Sequence, residues 1–214
     1  MHSDAMSENI AVYRPIKETF DSRAAANPTK IVIDSNSSFS RPQRSYLSAR
    51  VALYNQDGSL FKTANLSQTG VMSIFKSVNL KLGGKVVDNI KDYAMLVMDN
   101  YATSSVAEKK MLKYNEAYSR PDAFQNDNAS FTFKHFLLLL TMRPTQGQPL
   151  PLCVLPNQAV EVTLMLNNMQ QAFTNFPAGG YCIVDQVRYV AQLVTPSAEY
   201  LSTLWKGIQG GKFL

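Results

Sequence analysis

Charge is scarce in this sequence. Acidic and basic residues make up 17% of its 214 positions, against roughly 25% in an average globular protein. Asn, Gln, Ser and Thr are plentiful in their place. A polar surface with few ions suits broad protein contacts, because burying an amide costs less than burying an ion. Cysteine and histidine are scarcer still, at two each. Cys153 and Cys182 sit in apolar, strand-like settings without C-x-x-C spacing, so both read as buried thiols and not as a disulfide. Long apolar runs are missing too. Phe136 to Leu140 is far too short to cross a bilayer, and the start, MHSDAMSENI, holds no apolar signal-peptide core, which points to synthesis in a cytosolic compartment. Without such a signal, the three sequons at Asn36, Asn65 and Asn128 read as chance matches. Neither a repeat nor a low-complexity tract is present.

What is there is one chain long enough for a single sizeable core, 45% hydrophobic, with strand periodicity through most of its length. Residues 1–29 are polar, carry two prolines and the stretch Ala24 to Ala26, and read as an extended arm. The domain is expected from Lys30, where Lys30 to Asp34 forms a β-branched run. Ser45 to Tyr54 alternates Leu47, Ala49, Val51 and Leu53 against Ser48, Arg50 and Ala52. Phe75 to Leu82 puts Val78, Leu80 and Leu82 on one face, and Gly83-Gly84 turns it into a hairpin with Lys85 to Asp88.

The period then becomes helical. Ile90, Ala94, Val97, Met98 and Tyr101 share a face, with Asn89 as cap, and a second, more polar helix is expected over 107–118, giving a helical insert at about 89–118. Ser130 to Met142 returns to strand, and its block Phe136 to Leu140 reads as buried on both sides. Arg143 to Pro156, with four prolines, reads as an extended connector. Val160, Val162, Leu164 and Leu166 alternate with polar neighbours, and Tyr181 to Val194 forms another long strand. Thr195-Pro196-Ser197 starts a terminal helix with Pro at its first position, and Leu201, Leu204, Trp205 and Ile208 are expected as its buried face.

Positioned chemistry is hard to find. His2 lies in the arm and His135 in a strand, where a structural role outweighs a catalytic one. No G-x-S-x-G elbow, H-E-x-x-H or Cys/His cluster occurs. The two Gly-Gly-Lys tripeptides at 83–85 and 210–212 lack Walker A spacing and read as turns. Asp88, Asp92 and Asp99 read as a solvated or interface face beside Lys91, not as ligands. No catalytic residue, cofactor or metal ligand is assigned, and the chain is not read as an enzyme. Tyr93, Tyr101, Tyr114 and Tyr118 in the helical insert are candidate oligomer-interface residues, with ordinary core packing as the alternative.

Taken in order, several segments carry a resemblance: SYLSARVALYN with its following DG turn, VMSIFKSVNLKLGGKVVDNIKDYAMLVMDNY, SFTFKHFLLLLTM, LPNQAVEVTLMLN, YCIVDQVRYVAQLV and TPSAEYLSTLWKGIQGG. Over roughly residues 45 to 212 this series resembles the first jelly roll of the double jelly-roll major capsid proteins of virophages, polinton-like viruses and adintoviruses, relatives of the adenovirus hexon.

The resemblance implies an all-β fold, an eight-stranded jelly-roll sandwich with helices inserted in its connections and a C-terminal helix, within one domain at 30–214. It implies a viral coat protein of an icosahedral virion that self-assembles through roll-to-roll contacts, with copies of itself and other capsid proteins as partners and no membrane insertion. Contact surfaces are expected in the helical insert, the proline-rich connector and the arm. Arg14, Lys17, Arg23 and Lys30 are candidates for non-specific contact with packaged nucleic acid; the alternative is a solvated or partner-covered arm. The chain departs from the family in length, ending where a second roll would start, and is expected to be a single-roll relative and not one roll of a longer protein. Closed cyclic symmetry is expected, with no copy number carried over. Two other readings stay open. One is a receptor- or carbohydrate-binding jelly roll such as a spike or fibre head, for which Asp122, Asn126 and Asp127 offer a weak loop site. The other is a cupin-like enzyme, which one strand histidine does not supply.

Overall fold

Alternating burial along the chain resolves into two antiparallel sheets in the computed structural model, which describes residues 7–24, 28–34, 38–65, 70–107, 109, 130–135, 137, 150–154 and 160–210. The strands are β1 (Ser7–Tyr13), β2 (Phe20–Asp21), β3 (Thr29–Ile33), β4 (Phe39–Tyr54), β5 (Phe75–Leu82), β6 (Lys85–Ile90), β7 (Ser130–His135), β8 (Leu150–Pro151), β9 (Val160–Leu166) and β10 (Tyr181–Thr195). Among the elements joining them are the helices α1 (Tyr93–Thr103), the single turn α2 (Met169–Ala172) and α3 (Ala198–Gln209).

Strand pairing is nested. β1 pairs β10, β3 pairs β9, β4 pairs β7 and β5 pairs β6, every pair antiparallel. Outer and inner pairs alternate between the sheets, giving the orders β1-β10-β4-β7 and β3-β9-β5-β6. A long hairpin rolled up on itself produces this arrangement, the eight-stranded jelly roll expected from the sequence. The short strands extend it, β2 continuing along β10 and β8 along β4.

The core lies between the sheets. Leu47, Ala49, Val51 and Leu53 of β4 are buried, as are Val78 and Leu80 of β5 and Val160, Val162 and Leu164 of β9. Phe75 of β5 meets Phe133 of β7 edge-on at 6.1 Å between ring centroids, tying one sheet to the other. The β5–β6 hairpin turns on Gly83 (φ 55°) and Gly84 (φ 81°), the paired positive φ values that a tight two-residue loop requires.

Four expectations change. Within the segment 1–29 expected as an arm, β1 belongs to the roll, pairing with β10 at seven positions from Ser7↔Thr195 to Tyr13↔Tyr189. Asn89 and Ile90 lie in β6, opposite Asn79 and Val78, so α1 starts at Tyr93 with Asp92 in the cap position and no side-chain cap bond. Pro196 precedes the cap of α3. The cap is Ser197, whose hydroxyl accepts a hydrogen bond from the Tyr200 amide at 3.2 Å. Finally, α3 buries no residue fully, and Trp205 is 44% exposed. Of the second helix expected at 107–118, Ala107 and Lys109 are helical and the rest lies outside the described residues, as do most of the block Phe136 to Leu140 and residues 143–149 and 155–156 of the connector, although Leu137 is buried.

Candidate assembly surface

A jelly roll has two lateral edges, and here each is set by strand order. β1 and β3 form one. They close against each other where Pro15 bridges to Ile31. The chain reaches that bridge by leaving β10 between β1 and β2, opposite an irregularity where Asp185 to Arg188 of β10 spans only Arg50 to Ser48 of β4. One residue is extra, and Gln186 takes the left-handed conformation (φ 51°) that such a bulge demands. A shallow cleft of about 180 Å³ opens there, lined by Arg14, Glu18, Asp185 and Arg188 among others.

Because Ala11 and Tyr13 turn inward, Ile10 and Val12 turn out. Ile10 is 75% exposed, and Ile16 on the following link is 84% exposed. Charged groups rim this strip. Arg41 donates to Glu8 at 2.6 Å, and the Gln192 amide donates to the same carboxylate at 2.8 Å.

β7 and β6 form the opposite edge. Val86 and Val87 of β6 are exposed, and α1 follows directly, packing on β5 and the turn at Gly70–Ile74. Tyr93 and Val97 enter the core, while Met95, 61% exposed, and Met98 point away from it. α1 contains Asp99 and no basic residue.

Two further features stand apart from the edges. α3 holds Leu201, Leu204 and Ile208 half-buried, with Tyr200 and Trp205 exposed; Tyr200 meets Phe39 edge-on at 6.2 Å. A cleft of about 590 Å³ lies between the Ser22–Ala24 turn and α2, lined by Arg23, Lys76, Asn167, Asn168, Gln170 and Phe176 among others.

The residues singled out from sequence separate on this frame. Tyr93 is 1% exposed and packs in the core, the alternative given for it, because the first turn of α1 faces the sandwich. Tyr101 is half-buried against the core, with the Lys109 ammonium 5.5 Å from its ring centroid. Tyr114 and Tyr118 lie outside the described residues, as do Asp122, Asn126 and Asp127.

Among the cations, Arg14 approaches Glu18 at 3.9 Å with both side chains mostly exposed. Lys17 is exposed. Arg23 is held by two carboxylate oxygens of Asp21 and stacks 3.8 Å over the Tyr181 ring; this guanidinium bond holds the Asp21 carboxyl below its usual range. Lys30 reaches Glu161 at 3.3 Å, and Lys81 reaches it at 3.2 Å. Burial pushes the Glu161 carboxyl up, and the bonds from Lys81 and Lys30 outweigh it, leaving a net lowering. Two of the four candidates, Arg23 and Lys30, are thus paired with carboxylates within the roll. The strip of Ile10, Val12 and Ile16 was missed in the sequence, although its alternation was legible there once the segment is taken as a strand.

Reactive chemistry is sparse in what is described. Cys182 is buried and its thiol is pushed up to about 12 by burial; Cys153 is partly buried, and both are free thiols. Among the described residues no three His, Cys, Asp or Glu side chains gather as a metal site, and no helix there is long and apolar enough to cross a membrane.

No protein-family model matches the chain, and no curated protein matches it. Solved structures do. The capsid of the virus PBCV-1 superposes with a TM-score of 0.63 at 12% identity, covering 95% of this chain and 45% of that one. The Sputnik virophage structure gives 0.61 at 11%, covering 92% and 49%. The Faustovirus major capsid protein gives 0.57 at 10%, covering 97% and 57%. At these identities the likeness is one of fold, and this chain spans about half the length of the chains it matches. It adopts the jelly-roll fold found in viral capsid proteins.

Proposed function

We propose that the chain is a viral capsid protein that self-assembles into an icosahedral virion shell through roll-to-roll contacts, and that it is not an enzyme. The observation that carries the reading is the nested pairing of eight strands, superposing on viral capsid structures over more than nine-tenths of this chain. Exposed apolar side chains on both lateral edges support it, since an interface core needs such side chains and a polar rim. Its partners are copies of itself and other capsid proteins, and its place is the virion after synthesis in the host cytoplasm or nucleus. Non-specific contact with packaged nucleic acid falls to Arg14 and Lys17 on this reading, because Arg23 and Lys30 are engaged by Asp21 and Glu161. Electron microscopy and light scattering of the purified protein test the proposal. Regular closed particles or capsomers are expected, and a strictly monomeric protein at every salt concentration overturns it.

One observation favours a second reading. The cleft beside α2 combines four amide side chains with Phe176 and Arg23, a mixture suited to hydrogen bonding and stacking with a sugar. Specific retention on a glycan array, abolished by Phe176→Ala, would promote a receptor- or carbohydrate-binding role. Absence of binding leaves the coat reading alone.

A further inference from the structure

The cleft beside α2 lies where the link from β2 to β3, the start of β5 and the β9–β10 connection meet at one end of the sandwich. Its volume of about 590 Å³ falls within the roughly 300–1,000 Å³ of small-ligand sites. Bonds within the chain fix its walls. Asn175 accepts from the Asn65 amide at 2.6 Å and donates to the Thr63 carbonyl, pinning the segment that leads to Phe176. Phe176 stacks on buried Phe173 at 5.3 Å between centroids and meets Phe61 edge-on. A Cβ at Gly180 would meet Pro177 at 2.8 Å and the Phe176 ring at 3.0 Å, so only glycine lets the turn close this tightly. Across the cleft, the Ser22 hydroxyl accepts from the Cys182 amide at 2.9 Å, and Asp21 holds Arg23 through its Nε and one terminal nitrogen.

Other groups in the cleft are left free. The side chains of Lys76, Gln170 and Gln171 have no hydrogen-bond or ion-pair partner among the described residues, and the second terminal nitrogen of Arg23 has no acceptor there. Asp21 balances Arg23, whereas Lys76 has no counterion. None of the residues lining the cleft is acidic. Lysine and arginine carry donors and no acceptor, so the ionised groups require a ligand that brings acceptors and negative charge. The amides can donate to and accept from hydroxyls, and Phe176 offers an apolar surface beside them.

We infer that this cleft binds an acidic sugar, one bearing a carboxylate or a sulfate ester. The anionic group takes the Lys76 ammonium and the free nitrogen of Arg23, the hydroxyls take Gln170, Gln171 and Asn168, and an apolar face of the sugar ring packs on Phe176. A neutral sugar would cover the Lys76 ammonium and give it no opposite charge, which costs affinity. This rests on the sugar-binding reading of the cleft and adds the charge of the ligand.

A glycan array probed with the full chain tests the charge. Retention is expected on carboxylated and sulfated glycans and not on their neutral counterparts. Lys76→Gln is expected to weaken it by roughly three- to tenfold, and Lys76→Arg to restore most of it. Lys85→Gln, at the far end of the β5–β6 hairpin, is expected to leave it unchanged. Lys76 and Lys85 are both exposed, so the fold is kept, as circular dichroism would verify. Equal loss in Lys76→Gln and Lys85→Gln would mean attraction to net charge and overturn the inference, as would displacement of the glycan by an equal concentration of inorganic sulfate. Neutral glycans retained as well as acidic ones would also overturn it and leave the sugar reading standing. If no glycan is retained, the inference and the sugar reading both fall, and the coat reading is untouched.

Discussion

Replacing Tyr189 by Phe tests the buried hydroxyl network that fixes how β10 meets β4 beside the β1 edge. Tyr189 is fully buried, and its hydroxyl shares hydrogen bonds with Ser45 and Ser40. Ser45 in turn donates to the Arg41 carbonyl at 2.6 Å and accepts from the Gln192 amide at 3.1 Å, spanning the stretch where pairing jumps from Val190↔Tyr46 to Gln192↔Arg41. Losing the hydroxyl is expected to destabilise the protein by about 1–2 kcal/mol near pH 8. Burial pushes the Tyr189 hydroxyl up to about 12, whereas in the unfolded chain it titrates near 10, at roughly the free value. A raised folded pKa contributes stability that is complete below the unfolded value and is lost as pH climbs toward the folded one. By pH 11 the loss amounts to about 1.4 kcal/mol. Phenylalanine has no proton to lose. The buried Cys182 thiol, also pushed up to about 12, adds alkaline sensitivity to both proteins and cancels in their difference. Urea unfolding followed by far-ultraviolet circular dichroism should therefore give a stability gap of about 1–2 kcal/mol at pH 8 that closes toward zero near pH 11. A gap that stays constant from pH 8 to 11 would refute the reasoning.

Two other outcomes follow from local contacts. Glu161→Gln should lower stability at neutral pH by roughly 0.5–1.5 kcal/mol, because Lys30 and Lys81 both reach this carboxylate from flanking strands. Its folded pKa is lowered, so the stabilisation exists above the unfolded carboxylate value and vanishes as pH falls through the folded one; denaturation midpoints of the two proteins should converge in acid. Ser197→Ala should weaken α3 by about 1 kcal/mol through loss of the Tyr200 amide bond, read as lost helical signal and altered Trp205 fluorescence with the sheet transition unchanged.

Strands with a clean alternation were legible because period two, turn chemistry and burial agree there: the Ser45–Tyr54 part of β4, the β5–β6 hairpin, β9 and β10 lie where they were expected, although β4 itself begins earlier, at Phe39. The misplacements have separate physical causes. β1 is an edge strand whose inward face holds only Ala11 and Tyr13, so its periodicity advertises Ile10 and Val12 on the solvent side, and its partner lies at the far end of the sequence. Local pattern carries no information about a pairing that distant. Trp205 fails in the opposite direction. The stripe Leu201, Leu204, Trp205, Ile208 is amphipathic, and amphipathicity says that a face wants cover without saying that the same chain supplies it. For Tyr93 and Tyr101 residue type leaves contact surface and core packing both open, and their position on the first and last turns of α1 puts one in the core and leaves the other half-covered.

Because β1 belongs to the roll, removing the first thirteen residues and replacing two of their side chains are different perturbations. Deletion strips β10 of seven paired positions and uncovers Tyr189 and Ala191 beneath them, so assembly would fail along with the sandwich. Ile10→Thr together with Val12→Thr keeps β-branched residues in an extended strand and changes only side chains that face outward. If the β1 edge is a contact between rolls, this double variant should unfold close to the unaltered protein's midpoint yet self-associate at least several-fold more weakly, since each removed apolar contact at an interface is worth on the order of 1 kcal/mol. A variant that loses both together would mean that Ile10 and Val12 support the fold itself. One that loses neither would place the contact elsewhere on the roll, with α3 and its exposed Tyr200 and Trp205 as the next surface to alter.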